Sequence, residues 1–319
     1  MHTIAPFATF VPMRIIFMGT PEFAVPSLDI LVQAGYDIAA VVSAPDKAAG
    51  RGRTLQSPPV AVYAQQQGLP LLQPDKLRDP AFVAHLQGLA PDLMVVVAFR
   101  MLPEIVWSIP RLGTFNLHAS LLPDYRGAAP INWALINGEV QTGLTTFLID
   151  REIDTGQVLL QTAVEIPHDW DAGDLHDAMM QTGAALVLET VRGLGAGTLH
   201  ARPQDPAQFI HPAPKIFKDD CRIDWQRPAQ QLYHFVRGLS PYPAAWTTLD
   251  GEMLKVYRAA VVAGREGLAP GTCFGDKNHL CVQCGTDALQ LLSLQLAGRK
   301  RLDVADFLRG MAVLPGQVV

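Results

Sequence analysis

Asn116 and His118 stand two residues apart in the stretch TFNLH, the two polar side chains of a run that is otherwise apolar or hydroxylic. In an extended strand, residues i and i+2 face the same side, so a carboxamide and an imidazole are directed together. Either residue alone reads as a satisfied core or turn group. Two such groups on one face of an apolar strand are costly to bury without partners, and this favours a site. Both can donate an N–H to an oxygen that becomes negative, which is what acyl transfer through a tetrahedral intermediate requires. One such donor is worth about 3 kcal/mol. The imidazole can also carry a proton from an attacking amine. A histidine doing this work is held by a carboxylate. The candidate is Asp154, in the polar turn DTG between two apolar stretches, with Asp150 and Glu152 as nearby rivals. No GxSxG elbow is present, so direct transfer fits better than an acyl-enzyme.

The elements that must position these groups alternate. MRIIFMG is a short apolar run ending in glycine, and TPEFAVPSLDILVQAGY has helical spacing with a Gly-Tyr stop. IAAVVSAP reads as a second strand, residues 61–67 as a helix and LPLLQP as a short strand. A helix then leads into a strand over residues 93–99, followed by TFNLH and a helix in GAAPINWALING. Strands that are apolar throughout and alternate with helices predict a doubly wound, mostly parallel sheet covered on both faces. This α/β, Rossmann-like domain is placed at residues 13–200, after an extension at residues 1–12. The proline-rich RPQDPAQFIHPAP breaks the pattern and predicts a linker over 201–217. Residues 218–319 carry a helix over Trp225–Leu239, a hairpin signal at Asp250-Gly251, and two or three more strands between Gly271 and Gln295. A small β-barrel of about five strands, OB-like, fits that count, and a small sandwich fits almost as well.

Composition narrows the class. The chain has 319 residues, 49% hydrophobic and 17% charged, enough for two packed domains and unlike a disordered chain. Four cysteines are too few for a disulfide scaffold and point to a reducing cytoplasm. Cys281 and Cys284 form a lone CxxC without a second pair, so no metal site is expected and two small apolar fillers on a strand are the better reading. Residues 1–12 lack a basic leader and a cleavage site, and no run approaches the roughly twenty apolar residues of a membrane helix. FMGTPEF occupies the place of a dinucleotide fingerprint but has one glycine where GxGxxG has three, which argues against a nicotinamide enzyme. Net charge is −5, yet residues 201–319 hold 14 Lys+Arg against 11 Asp+Glu. A mildly basic C-terminal part permits a polyanionic partner.

FNLHASLLPDYRGAAP followed by DTG resembles the folate-dependent formyltransferases. The resemblance implies that Asn116, His118 and Asp154 are the catalytic set, and that Ser120, Leu121, Leu122 and Pro123 lie against a tetrahydrofolate. The co-substrate would be 10-formyltetrahydrofolate, with no metal. Within the family, MRIIFMGTPEFAVPSL, SAPDKAAGRGRTLQSPPV and the C-terminal stretches PKIFKDDCRIDW, SPYPAAWTTLDGEMLKVYRA and LQLAGRKRLDVADFL resemble the methionyl-tRNA formyltransferase branch. That likeness runs from Met13 to about residue 310. It implies transfer of the formyl group to the α-amino group of methionyl initiator tRNA during translation initiation. The loop bearing Lys47, Arg51 and Arg53 would reach the acceptor stem, and Arg299, Lys300 and Arg301 would face phosphates. Glycine-threaded positive charge suits a phosphate groove. VVVAFRMLPEIV is one residue shorter than the family's usual segment, with Arg100 where a glycine is common. The nearest alternative is a formyltransferase acting on an aminosugar nucleotide or another small amine. A further alternative keeps the barrel as an RNA-holding domain beside a silent α/β partner. Nothing in the sequence demands more than a monomer.

Overall fold

The computed structural model of the chain describes residues 13–49 and 54–310, so the expected extension at 1–12 lies outside the described residues. The chain forms two compact units. One comprises the described residues up to His118 together with Leu144–Thr162 and Met179–Pro206. The other comprises Ala119–Gly143, Ala163–Ala178 and the described residues from Ala207 onward.

A seven-stranded sheet runs in the order Val158–Glu165, Gln141–Leu148, Thr114–His118, Leu93–Val97, Arg14–Gly19, Asp37–Val42, Leu71–Leu72. The five strands from Thr114–His118 to Leu71–Leu72 pair in parallel. All five residues of Leu93–Val97 are buried, as a strand covered on both faces must be. Gln141–Leu148 instead runs antiparallel to Thr114–His118, and Val158–Glu165 beyond it is buried at Val158 and Leu159 and then alternates half-buried with exposed positions. Ile16, Met18, Val42, Met94 and Val96 pack with Leu86 and Val106 into one apolar cluster.

Local chemistry sets the element ends. Prolines occupy the first turns of the helices Val25–Gln33, Pro59–Gln66, Pro80–Gly88 and Pro130–Ile136, where a missing N–H costs nothing. Asp79 caps Pro80–Gly88 by accepting from the Ala81 and Phe82 amides. The strand expected to reach Phe99 stops at Val97, because Ala98 turns into the left-handed region at φ +47. On Gly19 a Cβ would stand 2.8 Å from that of Ala24, so this glycine serves the close strand-to-helix turn.

In the second unit the helix Ala229–Leu239 packs Leu232 and Val236 into a core with Leu254, Val256, Leu289, Leu291 and Leu294. The helix starts four residues later than the sequence suggests, just after Pro228. Its sheet has six strands in the order Ala245–Leu249, Glu252–Val262, Ala288–Leu296, Leu280–Gln283, Cys273–Gly275, with Leu302–Asp303 pairing on the other side of part of Ala288–Leu296. It is a curled antiparallel half-barrel, in keeping with the expected small barrel, with six strands where about five were expected. Register shifts at Val256/Arg258 and Arg258/Ala259 bend the longest strand and help the sheet curl. The hairpin turn falls on Asp250 (φ +51) and Gly251 (φ +79), as the Asp-Gly signal predicts.

A Cβ on Gly251 would meet nothing within 4 Å, so substitution there meets only backbone strain. Gly251→Ala is expected to destabilise the protein by about 1 kcal/mol. A lowered denaturant midpoint with an unchanged m-value checks it.

Candidate active site

Thr114–His118 is where the sheet changes direction: Leu93–Val97 pairs parallel on one side and Gln141–Leu148 antiparallel on the other. Asn116 and His118 sit at its carboxyl end, opposite Phe147 and Thr145 in the antiparallel register. A crevice beyond the carboxyl ends of the strands is where open α/β sheets bind ligands. His118 is buried and Asn116 half-buried. The imidazole meets Phe147 edge-on, ring centres 6.5 Å apart. Among the described residues nothing hydrogen-bonds the Asn116 carboxamide. A half-buried amide left in that condition is suited to donate to an incoming ligand.

Asp154 lies on the connection between Gln141–Leu148 and Val158–Glu165, with Oδ2 3.8 Å from His118 Nδ1. That is ion-pair distance and longer than a hydrogen bond. Its two rivals are otherwise placed. Asp150 Oδ1 accepts from the Glu152 amide and the Thr155 hydroxyl, closing the turn, and Glu152 is exposed. The intervening Arg151 makes a two-pronged ion pair with Glu104. Asp154 itself is left-handed, at φ +56. A Cβ on Gly156 would lie 1.7 Å from the Leu148 carbonyl oxygen, so the third residue of DTG must be glycine.

In the other unit, Ser120, Leu122 and Pro123 are buried and Leu121 half-buried. The Ser120 hydroxyl donates to the Asp124 carbonyl at 2.6 Å. Asp124 Oδ1 accepts from the amides of Ile210 and His211. The Tyr125 hydroxyl donates to Glu139 and accepts from Asn137, and burial together with Glu139 pushes that phenol well up. Residues 120–125 are therefore a fastened loop.

Of the expected tRNA contacts, Lys47 is exposed and opens a two-stranded ribbon, Lys47–Ala49 against Thr54–Gln56, where the sequence suggests an open loop. Arg51 and Arg53 lie outside the described residues. Arg299 and Lys300 are exposed. Arg301 is held to its own sheet, its Nε donating to Ser293 Oγ at 2.8 Å and its guanidinium lying 4.4 Å from the Tyr257 ring centre. Arg100 is likewise occupied by the carbonyls of Pro74 and Asp75. The sequence reading missed a cavity of about 410 Å³ in the second unit, bordered by Lys215, Lys218, Lys255, Trp246 and Tyr242. Its signal was present in KIFK, but Lys255 joins it only through the hairpin fold.

Residues 13–191 match the formyl transferase family and residues 215–312 the formyl transferase C-terminal domain family. A methionyl-tRNA formyltransferase of Parabacteroides distasonis is 52% identical over 309 residues, covering 93% of this chain and 95% of the relative. One from Bacteroides fragilis is 50% identical over 307 residues, covering 93% and 95%. The chain belongs to the methionyl-tRNA formyltransferase family. The formyltransferase fold recurs at far lower identity. HypX from Aquifex aeolicus, solved in complex with tetrahydrofolic acid, is 17% identical with a TM-score of 0.64, over 93% of this chain and 47% of that one. An N-formyltransferase from Helicobacter canadensis, in complex with folinic acid and dTDP-3-aminofucose, is 15% identical with a TM-score of 0.63, over 91% of this chain and all of that one.

For a formyltransferase family member, the distribution of titratable groups is informative. Among the described residues no three His, Cys, Asp or Glu are placed to hold a metal, and no helix is long and apolar enough to cross a membrane. Cys281 and Cys284 are buried in separate apolar clusters, as fillers. Burial pushes the thiol of Cys284 up to about 11 and that of Cys273 up to about 12, and raises Cys221 and Cys281 as well. The thiolate is the reactive form. A thiol reagent at pH 8 is therefore expected to leave the four cysteines of the folded protein unmodified and to label all four in denaturant.

Proposed function

We propose that this chain transfers the formyl group of 10-formyltetrahydrofolate to the α-amino group of methionine esterified to initiator tRNA. The observation that carries the chemistry is the convergence at one strand end. The carboxamide of Asn116 and the imidazole of His118 share a strand face, and the carboxylate of Asp154 lies 3.8 Å from His118 Nδ1. The identity of about half the residues to relatives named for methionyl-tRNA supports the acceptor. It favours that acceptor over an aminosugar nucleotide.

10-Formyltetrahydrofolate supplies the formyl group, and Ser120, Leu121, Leu122 and Pro123 would line its seat. A donor set without metal ligands fits this co-substrate, whose reacting carbonyl oxygen needs N–H groups. Asn116 donates a carboxamide N–H to that oxygen as negative charge builds, when the neutral methionyl amine adds to the carbon. The carboxylate facing Nδ1 keeps a proton on that nitrogen, so Nε2 is the one that exchanges protons. His118 takes the proton shed by the amine, donates to the oxygen as imidazolium, and returns the proton to the departing nitrogen.

For the tRNA, Lys47, Arg51 and Arg53 would meet the acceptor stem. Arg299, Lys300 and Arg301 would face phosphates, with Arg301 acting from a fixed position. The cavity with Lys215, Lys218 and Lys255 adds three more cations beside two aromatic rings. Aromatic planes interleaved with cations suit single-stranded nucleic acid.

Asn116→Ala and His118→Ala should each lower kcat about 100-fold or more with both KM values near wild type. Near-normal turnover in both would remove them from the mechanism. Charged initiator tRNA should accept labelled formyl where a dTDP-aminosugar does not. Lys218→Ala combined with Arg51→Ala should weaken tRNA capture, flatten its salt dependence by about one unit of slope per lost phosphate contact, and leave folate affinity unchanged. An unaltered slope would place both residues away from phosphate.

A further inference from the structure

Gln204 falls in RPQD, a stretch that composition marks as linker, yet its side chain is built into the turn that carries Asp154. The Nε2 of its carboxamide donates to the Asp154 carbonyl and to the Gly156 carbonyl, 2.8 Å each. One amide nitrogen thus spends both its hydrogens on the two carbonyls that flank Thr155. Its place is fixed from behind: Arg202 and Val158 exchange backbone hydrogen bonds of 2.7 and 2.8 Å, which seats residues 202–204 beside the start of the strand Val158–Glu165.

The turn needs such a tie. Asp154 is a non-glycine residue at φ +56, a conformation that strains an L-residue and persists where its surroundings over-determine it. Further bonds hold the residues around it. Asp150 closes the turn on Glu152 and Thr155, Arg151 ties it to Glu104, and the Leu148 amide donates to Gln157. Gln204 acts on the peptide of Asp154 itself. Since Oδ2 stands 3.8 Å from His118 Nδ1, a small rotation of that peptide decides whether carboxylate and imidazole meet. A misplacement of about 1 Å in a catalytic group can cost 100-fold in rate.

We infer that Gln204 is a positioning residue for the reaction: by pinning the carbonyls of residues 154 and 156 it holds the left-handed turn that aims the Asp154 carboxylate at His118. Side-chain length and donor count make glutamine specific. Asparagine is one methylene shorter, and glutamate has the right length but no donor when ionised. The inference rests on the reading of Asp154 as the partner of His118.

The test is a double-mutant cycle on the full-length enzyme, with Gln204→Glu and Gln204→Met each made alone and on an Asp154→Asn background. Thermal midpoints are recorded, and initial rates are taken well below them. Each single Gln204 variant should lose about 10- to 100-fold in kcat with little change in KM for folate or tRNA. On the Asp154→Asn background the same change should cost almost nothing, because the group being aimed has lost its charge. An equal loss on both backgrounds would overturn the proposal, as would a kcat within twofold of wild type in the Gln204 variants. A general folding role would lower rates equally on both backgrounds. If instead Asp154→Asn alone retains full activity, the assignment of Asp154 fails first, and that result is separate from any result for Gln204.

Discussion

The site depends on the approach of a carboxylate to an imidazole, 3.8 Å apart, at the strand where a parallel sheet acquires an antiparallel neighbour. Gln141–Leu148 runs antiparallel to Thr114–His118, with Thr145 opposite His118 and Leu148 opposite Phe115. The turn after Leu148 therefore leaves near the amino end of Thr114–His118 and must fold back to bring Asp154 to His118. The 3.8 Å separation is set by how that turn is tied down, and its ties are short and directional: an Asx-type closure by Asp150, an arginine fork to Glu104, and the amide of Gln204.

Positive charge in the second unit falls into two conditions. Arg301 and Arg237 are committed to protein partners: one lies over Tyr257 and bonds Ser293, while the other is buried, bonding His234 and the carbonyls of His168 and Trp170. Burial lowers the basicity of Arg237 from its ordinary value and likewise depresses His234. Lys215 and Lys218 are exposed at the cavity, beside the highly exposed Tyr242. Long ammonium stems at an open apolar hollow can follow a flexible polyanion, whereas a guanidinium locked to a ring offers a fixed point.

The candidate site was legible where its signal has a short period. Asn116 and His118 declare themselves because two-residue spacing puts them on one face of a strand that should be apolar. Asp154 could be singled out from Asp150 and Glu152 only through its Asp-Thr-Gly context, and in the fold Asp150 is consumed by closing the turn. The hairpin at Asp250-Gly251 was readable because positive φ at both positions selects those residue types. Gln204 was not readable. Its partners are backbone carbonyls 50 and 48 positions away, and no side-chain pattern encodes a carbonyl. The curl of the second sheet was hidden for a related reason, since the register shifts around Arg258 arise from pairing with Ala288–Leu296 rather than from local preference. The proline-rich stretch reads as a linker because proline content reports missing donors. It does not report the acceptors and side chains that fasten Arg202, Ile210 and His211.

The path of the chain between the two units has an evolutionary consequence. Residues 119–143 and 163–178 belong with the C-terminal unit although they interrupt the N-terminal one, so the polypeptide changes unit repeatedly before Ala207. Gene fusion that grafts a foreign tail after any one codon would exchange only part of the second unit and strand the rest. A single cut in the chain therefore cannot separate one whole unit from the other.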